Sequence, residues 1–445
     1  MLLGKKGGVL GAPLFFDAGQ QPTGRAPPSK PCLCRLKRDR RSAKLARESM
    51  DAMRTETLPA VEPTPAPTGA SMKLRIEDLV GAEIRGISPY EPGKPIEEVE
   101  RELGPMLPAG GVIKLASNEN PLGPSPRALE AVRRMLTEIH RYPDGGGFYL
   151  RRALADRLGV SVDEIAIGNG SNEILDLLVR TFASPGDEVI APARSFVCYR
   201  LSAQARGLDF RDVPRGPGFA YDMDALVDAV GPRTRIVFIA NPDNPTGIYA
   251  SGDALRRLAR RLPERVILAV DEAYFEYASA PDFPDTLRLR GERALLVTLR
   301  TFSKIHGLAG LRCGYAVAPT EVVAFLDRVR NPFNVSAVAQ AAAVAALSDE
   351  DHVARSLEAN RVGMAQLTGG LAAFGIPFVP SQTNFLLFDV GPRDGRKVFL
   401  DLLARGVIVR PMGGYALPHH LRVTVVTHEE NRRFLGALGT VLGLG

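Results

Sequence analysis

The sequence predicts an α/β protein in which a mostly parallel sheet sandwiched by helices makes a large domain, accompanied by a smaller α+β domain. Three observations carry that prediction. Between about Asn169 and Ala318, short β-branched runs alternate with amphipathic helical stretches. The runs are apolar at consecutive positions, as strands buried on both faces must be. After Ala318 the texture changes to long helical periodicity, followed by shorter strands.

A chain of 445 residues, 45% hydrophobic and 24% charged, can bury two sizeable cores and is not disordered throughout. Its formal charge of +6 suggests nucleic acid only until it is divided along the sequence. Residues 1–71 carry twelve Lys/Arg against six Asp/Glu, and the remainder is balanced. That first segment also holds nine prolines and no sustained apolar period, so it reads as a disordered basic, Pro-rich extension. Its acidic residues, among them Asp17 and Asp39, argue against a targeting peptide. The cluster from Arg35 to Arg47 leaves a DNA-binding arm open, although a charge run is more often merely solvated, and a non-conserved or mis-started extension with the natural beginning near Met53 or Met72 is the plainer reading. Cys32-x-Cys34 lacks a second Cys or His pair, so no metal is expected. Four cysteines cannot make a disulfide framework, which points to a reducing, cytoplasmic setting. No apolar run approaches a membrane span.

In order, residues 72–122 are expected to form an N-terminal arm and part of the small domain, 123–330 the large domain, and 331–445 the rest of the small domain. Val189-Ile190, Ile236 to Ile239, Val266 to Val270 and Leu295 to Val297 are the expected central parallel strands. Ala254 to Leu262 is a helix whose arginines 256, 257, 260 and 261 face mainly solvent. Helices are expected over Glu321–Val329, Ser336–Leu347 and His352–Phe374, strands at Asn384–Phe388 and Leu421–Val425, and a last helix from Glu429. Ligands of such sheets sit beyond the carboxyl ends of the strands.

The chemistry-bearing segments end those strands. Thr301-Phe302-Ser303-Lys304 follows one directly, where a lysine can be buried enough to act as an imine-forming amine. Ser303 and Arg312 add a hydroxyl and a planar cation suited to a nearby phosphate. Asp271 ends another apolar strand and needs a cationic partner, which a protonated pyridine nitrogen would be. Tyr274, three residues on, is placed to donate to a phenolate oxygen of the same ring. The turn Asn241-Pro242-Asp243-Asn244-Pro245-Thr246-Gly247 is stiffened by its prolines and aims Asn244 at a ligand. Gly168-Asn169-Gly170-Ser171-Asn172 opens a helix ending near Phe182, exposing N–H groups to an anion, although a Ser or Asn there is also an ordinary N-cap. Phe196 and Tyr199 each offer a ring to stack on a heteroaromatic, or a core aromatic. Together these parts call for pyridoxal 5'-phosphate held by Lys304.

The sequence resembles the fold-type I, class I/II pyridoxal-phosphate aminotransferases, and most closely the histidinol-phosphate aminotransferases among them, over about residues 74–440. The segments that carry the resemblance agree in order and spacing: Ser88-Pro89-Tyr90-x-Pro92-Gly93-Lys94-Pro95, Leu115 to Pro121, Arg141-Tyr142-Pro143-Asp144, Asn244 to Gly247, Asp271 to Tyr274, and Ser303-Lys304 to Arg312. The resemblance implies that Lys304 is the Schiff-base lysine and proton shuttle, and that Asp271 keeps the pyridine nitrogen protonated. It implies that Asn244 and Tyr274 bind the ring oxygen, that Tyr199 stacks on the ring, and that Ser171, Asn172, Ser303 and Arg312 bind the phosphate. Tyr142 would reach the neighbouring subunit's site, implying a homodimer. Arg422 would grip the substrate's anionic end, with Arg410, Tyr90 and Asn118.

Two departures bear on substrate more than on reaction: His306, where many relatives carry an aromatic, and Thr424-Val425-Val426-Thr427, where a strand ending in Gly-Thr is commoner. The implied reaction is transamination between histidinol phosphate and 2-oxoglutarate. An aromatic amino-acid aminotransferase is the nearest alternative, with a threonine-phosphate decarboxylase and a DNA-binding regulator built on the same body further off.

Overall fold

The computed structural model describes residues 75–89, 92–108 and 110–444. The expected basic extension, residues 1–71, and Tyr90 lie outside them. Leu74–Gly445 make one compact unit. Its described strands are β1 (Ile113–Lys114), β2 (Ile165–Gly168), β3 (Glu188–Pro192), β4 (Asp209–Val213), β5 (Thr234–Ala240), β6 (Ile267–Asp271), β7 (Leu296–Thr301), β8 (Gly314–Val317), β9 (Phe385–Asp389), β10 (Val407–Ile408), β11 (Arg410–Pro411) and β12 (His420–Thr424).

Seven strands form the main sheet in the order β2-β8-β7-β6-β5-β3-β4. The four anticipated central strands are β3, β5, β6 and β7, paired in parallel. Residue alternation along β5 explains why they read as unbroken apolar runs. Ile236, Phe238 and Ala240 pack with the helix Ser171–Phe182 on one face, while Val237 and Ile239 pack with Leu255 and Leu258 of the helix Gly252–Arg261 on the other. Both faces are covered, so neither set is polar. On that second helix Arg257, Arg260 and Arg261 are exposed and Ser251 caps the first turn.

The sequence reading did not mark β2, β4 or β8. At the parallel edge, β4 has the sequence DFRDV with Asp209, Arg211 and Asp212 exposed, so it lacks the apolar run of a central strand. By contrast β8 is short and antiparallel to both its neighbours, a reversal that no local pattern announces.

A second sheet, β11-β12-β9, is antiparallel throughout. Its core joins Phe388, Leu421 and Val423 to Phe434 and Leu438 of the final helix His428–Leu442, whose N-terminus is closed by a capping box of Thr427 and Glu430. Residues near 115 belong with this sheet. β1 pairs with β10, and the Thr424 amide donates to the Leu115 carbonyl at 2.9 Å. That pairing carries Asn118 to the end of β12 although the two lie some three hundred residues apart in the chain.

Candidate active site

The carboxyl ends of β2, β5, β6 and β7 open on one edge of the main sheet, and their following loops enclose a cavity of about 150 Å³. Each loop brings one piece of chemistry. After β2 comes the N-terminus of Ser171–Phe182, with Gly170 as N-cap at φ 78° and no side chain capping it. The first helical amides are therefore left for a ligand. Ser171 and Asn172 line the cavity there, opposite Ser303 and Arg312, and the Arg312 guanidinium donates to Ser303 Oγ at 3.3 Å. These four residues, for which an anion cup is expected from sequence, line the cavity together.

After β5, the turn that presents Asn244 is held from behind. The buried Asp243 carboxylate accepts from Thr246 Oγ1 at 2.6 Å, Ser195 Oγ at 3.0 Å and Arg215 Nη2 at 3.0 Å. This support was not recognised from sequence, where Asp243 was only a residue between two prolines; its one signal is a carboxylate in a turn too apolar to leave it solvated.

β6 ends at Asp271, which is 5% exposed, and burial pushes its carboxyl up to about 6 despite hydrogen bonds from Tyr199 and the Ala273 amide. Lys304, after β7, is shifted the other way. Burial, then the nearby Arg422 cation, lowers its amine to about 8. About a tenth of such an amine is neutral at pH 7, against roughly 0.03% of a solvated lysine. Its Nζ donates to the Ser117 carbonyl at 3.2 Å and stands 5.5 Å from the centre of the Tyr274 ring. A nucleophilic amine and a carboxylate in want of a cation thus share one small cavity.

A second group of residues closes the cavity from the antiparallel sheet. Arg422 on β12 is 7% exposed; its Nη1 donates to Asn244 Oδ1 at 2.5 Å and its Nη2 to the Ala116 carbonyl at 2.9 Å. Arg410 is its direct cross-strand partner, so the two side chains leave the same face of the sheet. Asn118, 1% exposed, donates from Nδ2 to the Tyr274 hydroxyl at 2.8 Å, and its backbone amide donates to Thr424 Oγ1 at 2.9 Å. Burial pushes the Tyr274 hydroxyl up to about 12.

The cavity wall thus holds Ser171, Asn172, Asn244, Asp271, Tyr274, Ser303, Lys304 and Arg312 together. Asn118 and Arg422 stand behind it, each bonded to a residue that lines it. Tyr199 is differently placed from its expected stacking position. Its ring lies parallel to Phe238 at 4.7 Å and its hydroxyl donates to Asp271 Oδ2 at 3.0 Å, so it sits beneath the carboxylate, while Phe196 lines the cavity. The reason is helical spacing: Phe196 is the N-cap of Val197–Gln204, and Tyr199 lies three residues on, one turn deeper and fully buried. Tyr142 is outside the cavity of its own chain, 83% exposed and stacked on Phe333. His306 packs on Phe302 away from the cavity, its ring kept neutral by burial that lowers it to about 4. Among the described residues no cluster of His, Cys, Asp or Glu suits a metal ion.

Comparison with known proteins reaches the same place. Residues 110–438 match the aminotransferase class I and II family. The chain is 50% identical over 365 residues to a histidinol-phosphate aminotransferase of Anaeromyxobacter sp. (strain Fw109-5), covering 82% of this chain and 99% of the relative. It is 49% identical over 364 residues to histidinol-phosphate aminotransferase 1 of Nitrosococcus oceani, covering 82% and 97%. In structure it is similar to histidinol-phosphate aminotransferase from Sinorhizobium meliloti in complex with pyridoxal-5'-phosphate, with a TM-score of 0.74, 28% identity and coverage of 85% and 99%. A Thermus thermophilus aspartate aminotransferase double mutant gives a TM-score of 0.71 at 28% identity, covering 81% and 99%. The match spans every loop that lines the cavity, from Ser171 to Arg312, and continues through the strand that carries Arg422, so this chain belongs to the class I and II aminotransferases.

Proposed function

We propose that the protein is a pyridoxal 5'-phosphate-dependent transaminase interconverting L-histidinol phosphate and 2-oxoglutarate with imidazole acetol phosphate and L-glutamate, in histidine biosynthesis. The observation that carries this reading is the placement of a depressed lysine amine, a buried carboxylate and an uncapped helix N-terminus around one cavity, with Arg422 bonded to Asn244 on its wall. The relatives named above share nearly their whole length with the chain, which supports the substrate.

The cavity fits the cofactor. A Cβ on Gly170 would stand 2.4 Å from Arg312 Nη2, and one on Gly314 would stand 2.2 Å from the Ser171 amide nitrogen. The Gly314 clash is with backbone and Gly170 sits at φ 78°, so glycine at both positions lets the strand and the helix N-terminus close into an anion cradle. Ser171, Asn172, Ser303 and Arg312 would bind the phosphate, Asp271 the pyridinium, Asn244 and Tyr274 the ring oxygen, and Phe196 the ring face. When bound, pyridoxal phosphate supplies the electron sink for breaking the substrate's α-C–H bond. Lys304 would hold the cofactor through Nζ, and that amine, once displaced by the amine of the substrate, would carry the substrate's α-proton. Arg422 and Arg410, with Tyr90, orient the anionic end. Two guanidinium groups at that end would suit a phosphate dianion better than a single carboxylate.

A homodimer completes this reading. Tyr142, Phe148 and Tyr149 are 83%, 61% and 76% exposed, an apolar surface that a second subunit would cover. The separate sheets support a large domain over 123–330 and a small one from 72–122 with 331–445. Cys198 and Cys313 are both unpaired thiols, in keeping with the cytoplasm.

The test is the half-reaction of the loaded enzyme with histidinol phosphate and, separately, with phenylalanine, followed by the cofactor's absorbance. A preference for histidinol phosphate of about a hundredfold, roughly 3 kcal/mol of recognition, is expected. Equal or reversed rates would move the protein to the aromatic amino-acid aminotransferases with its cavity chemistry intact.

A further inference from the structure

We infer that Tyr199 is a positioning residue for Asp271: its hydroxyl pins one carboxylate oxygen and keeps the group an anion, so that the other face of the carboxylate is presented to the ring nitrogen of the cofactor. The inference rests on the pyridoxal phosphate reading above.

Three features of the geometry carry it. First, the carboxylate is held at both oxygens, Oδ2 by the Tyr199 hydroxyl at 3.0 Å and Oδ1 by the Ala273 amide at 3.2 Å. Each oxygen keeps a further lone pair, and the buried group has no lysine or arginine in direct contact among the described residues. Second, the phenol cannot swing away. Tyr199 is fully buried, lies flat on Phe238 at an interplanar angle of 4°, and meets the edge of Phe196 at 87°. Third, the hydroxyl cannot lose its proton. Burial, with Asp271 next, pushes it well above its ordinary value, so at any working pH it is a donor.

The same helix turn therefore delivers two functions from residues three apart: Phe196 reaches the cavity and Tyr199 reaches the carboxylate beneath it. Other charged or titratable groups facing this pair are few. Glu272 raises Asp271 and Lys304 lowers it, Cys198 and Tyr274 feel its charge, and Tyr221 and Asp243 face Tyr199. Removing the phenol leaves the carboxylate with one amide donor and the full desolvation penalty, so its pKa rises. A protonated Asp271 no longer holds a pyridinium, and the cofactor leaves more readily as the pH falls.

The experiment follows cofactor dissociation from the loaded enzyme by absorbance across the range of about pH 5.5 to 8.5, for wild type, Tyr199→Phe, Asp271→Asn and the double variant. In Tyr199→Phe the acid limb of the affinity profile should move up by about one pH unit, so that affinity falls only about twofold at pH 7 but roughly five- to tenfold at about pH 5.5 to 6. In the Asp271→Asn background the same substitution should change affinity by less than about twofold, because its target is gone. A Tyr199→Phe profile that overlays wild type, or an equal loss in both backgrounds, would overturn the inference, the latter by marking Tyr199 as a packing residue only. Should Tyr199→Phe fail to fold, Phe238→Leu removes the surface that seats the phenol and should move the acid limb in the same direction by less; an unmoved limb there also overturns it. Wild type that fails to retain pyridoxal phosphate would sink the underlying reading itself, a result distinguishable from all of these.

Discussion

The two ends of the cavity are built differently. The end proposed for the cofactor comes from loops that directly follow β2, β5, β6 and β7, each placed by the strand before it. The end proposed for the substrate is assembled from segments distant in sequence, those of Asn118 and Arg422, tied by side-chain hydrogen bonds to Asn244, Ala116 and Thr424 across 178 and 306 positions. At the first end, geometry is inherited from the sheet and each loop contributes nearly independently. At the second, geometry depends on the docking of β12 against the segment from Leu115 to Asn118. Damage at the cofactor end should therefore strike the chemical step, and damage at the substrate end should strike recognition.

The sharpest way to break that contrast is at Lys304. Lys304→Ala should lower turnover on the order of 10⁴-fold or more and abolish the absorbance of lysine-bound cofactor, because the nucleophile and the proton carrier are one atom. Measured by single-turnover kinetics and absorbance, retained multiple turnover would remove Lys304 from its role. Binding of histidinol phosphate to the same variant should be nearly unchanged, since Arg422 keeps its contacts to Asn244 and Ala116.

This division also governs what could be read from the sequence. The cofactor end was legible because a strand followed by an unusual loop is a local signal: Asp271, Lys304, Asn244 and Ser171 all stand where an apolar run stops. Tyr199 was legible as an aromatic near the site but not as the residue beneath the carboxylate, since three residues of helix decide between cavity and core and no pattern marks which end is nearer. Asp243 was invisible as a support, because its partners Ser195 and Arg215 come from other elements. The pairing of β1 with β10, which carries Asn118 to β12, is likewise a tertiary fact with no sequence period behind it. The reversed strand β8 was missed for the same reason, although Gly314 on it forms half of the anion cradle.

Arg422 sharpens the contrast. Arg422→Gln should raise KM for histidinol phosphate about a hundredfold, near 3 kcal/mol, while kcat falls by less than about tenfold. Cofactor retention should stay close to wild type, as Asn244 keeps its seat through Asp243 and its three donors. A loss of cofactor as large as the rise in KM would mean that the hydrogen bond from Arg422 to Asn244 makes the two ends one unit, and the contrast would fail.

The smallest effect is expected at the seam between the ends, at Asn118. Its backbone lies at φ 56°, a region that non-glycine residues other than Asn and Asp rarely adopt, and its side chain supplies the donor to the Tyr274 hydroxyl. Asn118→Ala loses both advantages, so it should destabilise the fold by about 2 kcal/mol, from strain of about 1 kcal/mol and an unmet buried hydroxyl of similar size. Asn118→Gly removes the hydrogen bond but relieves the strain, and should cost about 1 kcal/mol less than Ala by denaturant unfolding. Neither variant touches the reacting atoms, so kcat/KM should fall only about three- to tenfold, equally for both, because the Tyr274 hydroxyl loses the same partner in each. If Ala and Gly differed in activity as they differ in stability, the backbone of Asn118 rather than its amide would be what aligns Tyr274, and the substrate end would owe its geometry to the chain path from β1 more than to the hydrogen bonds that tie it.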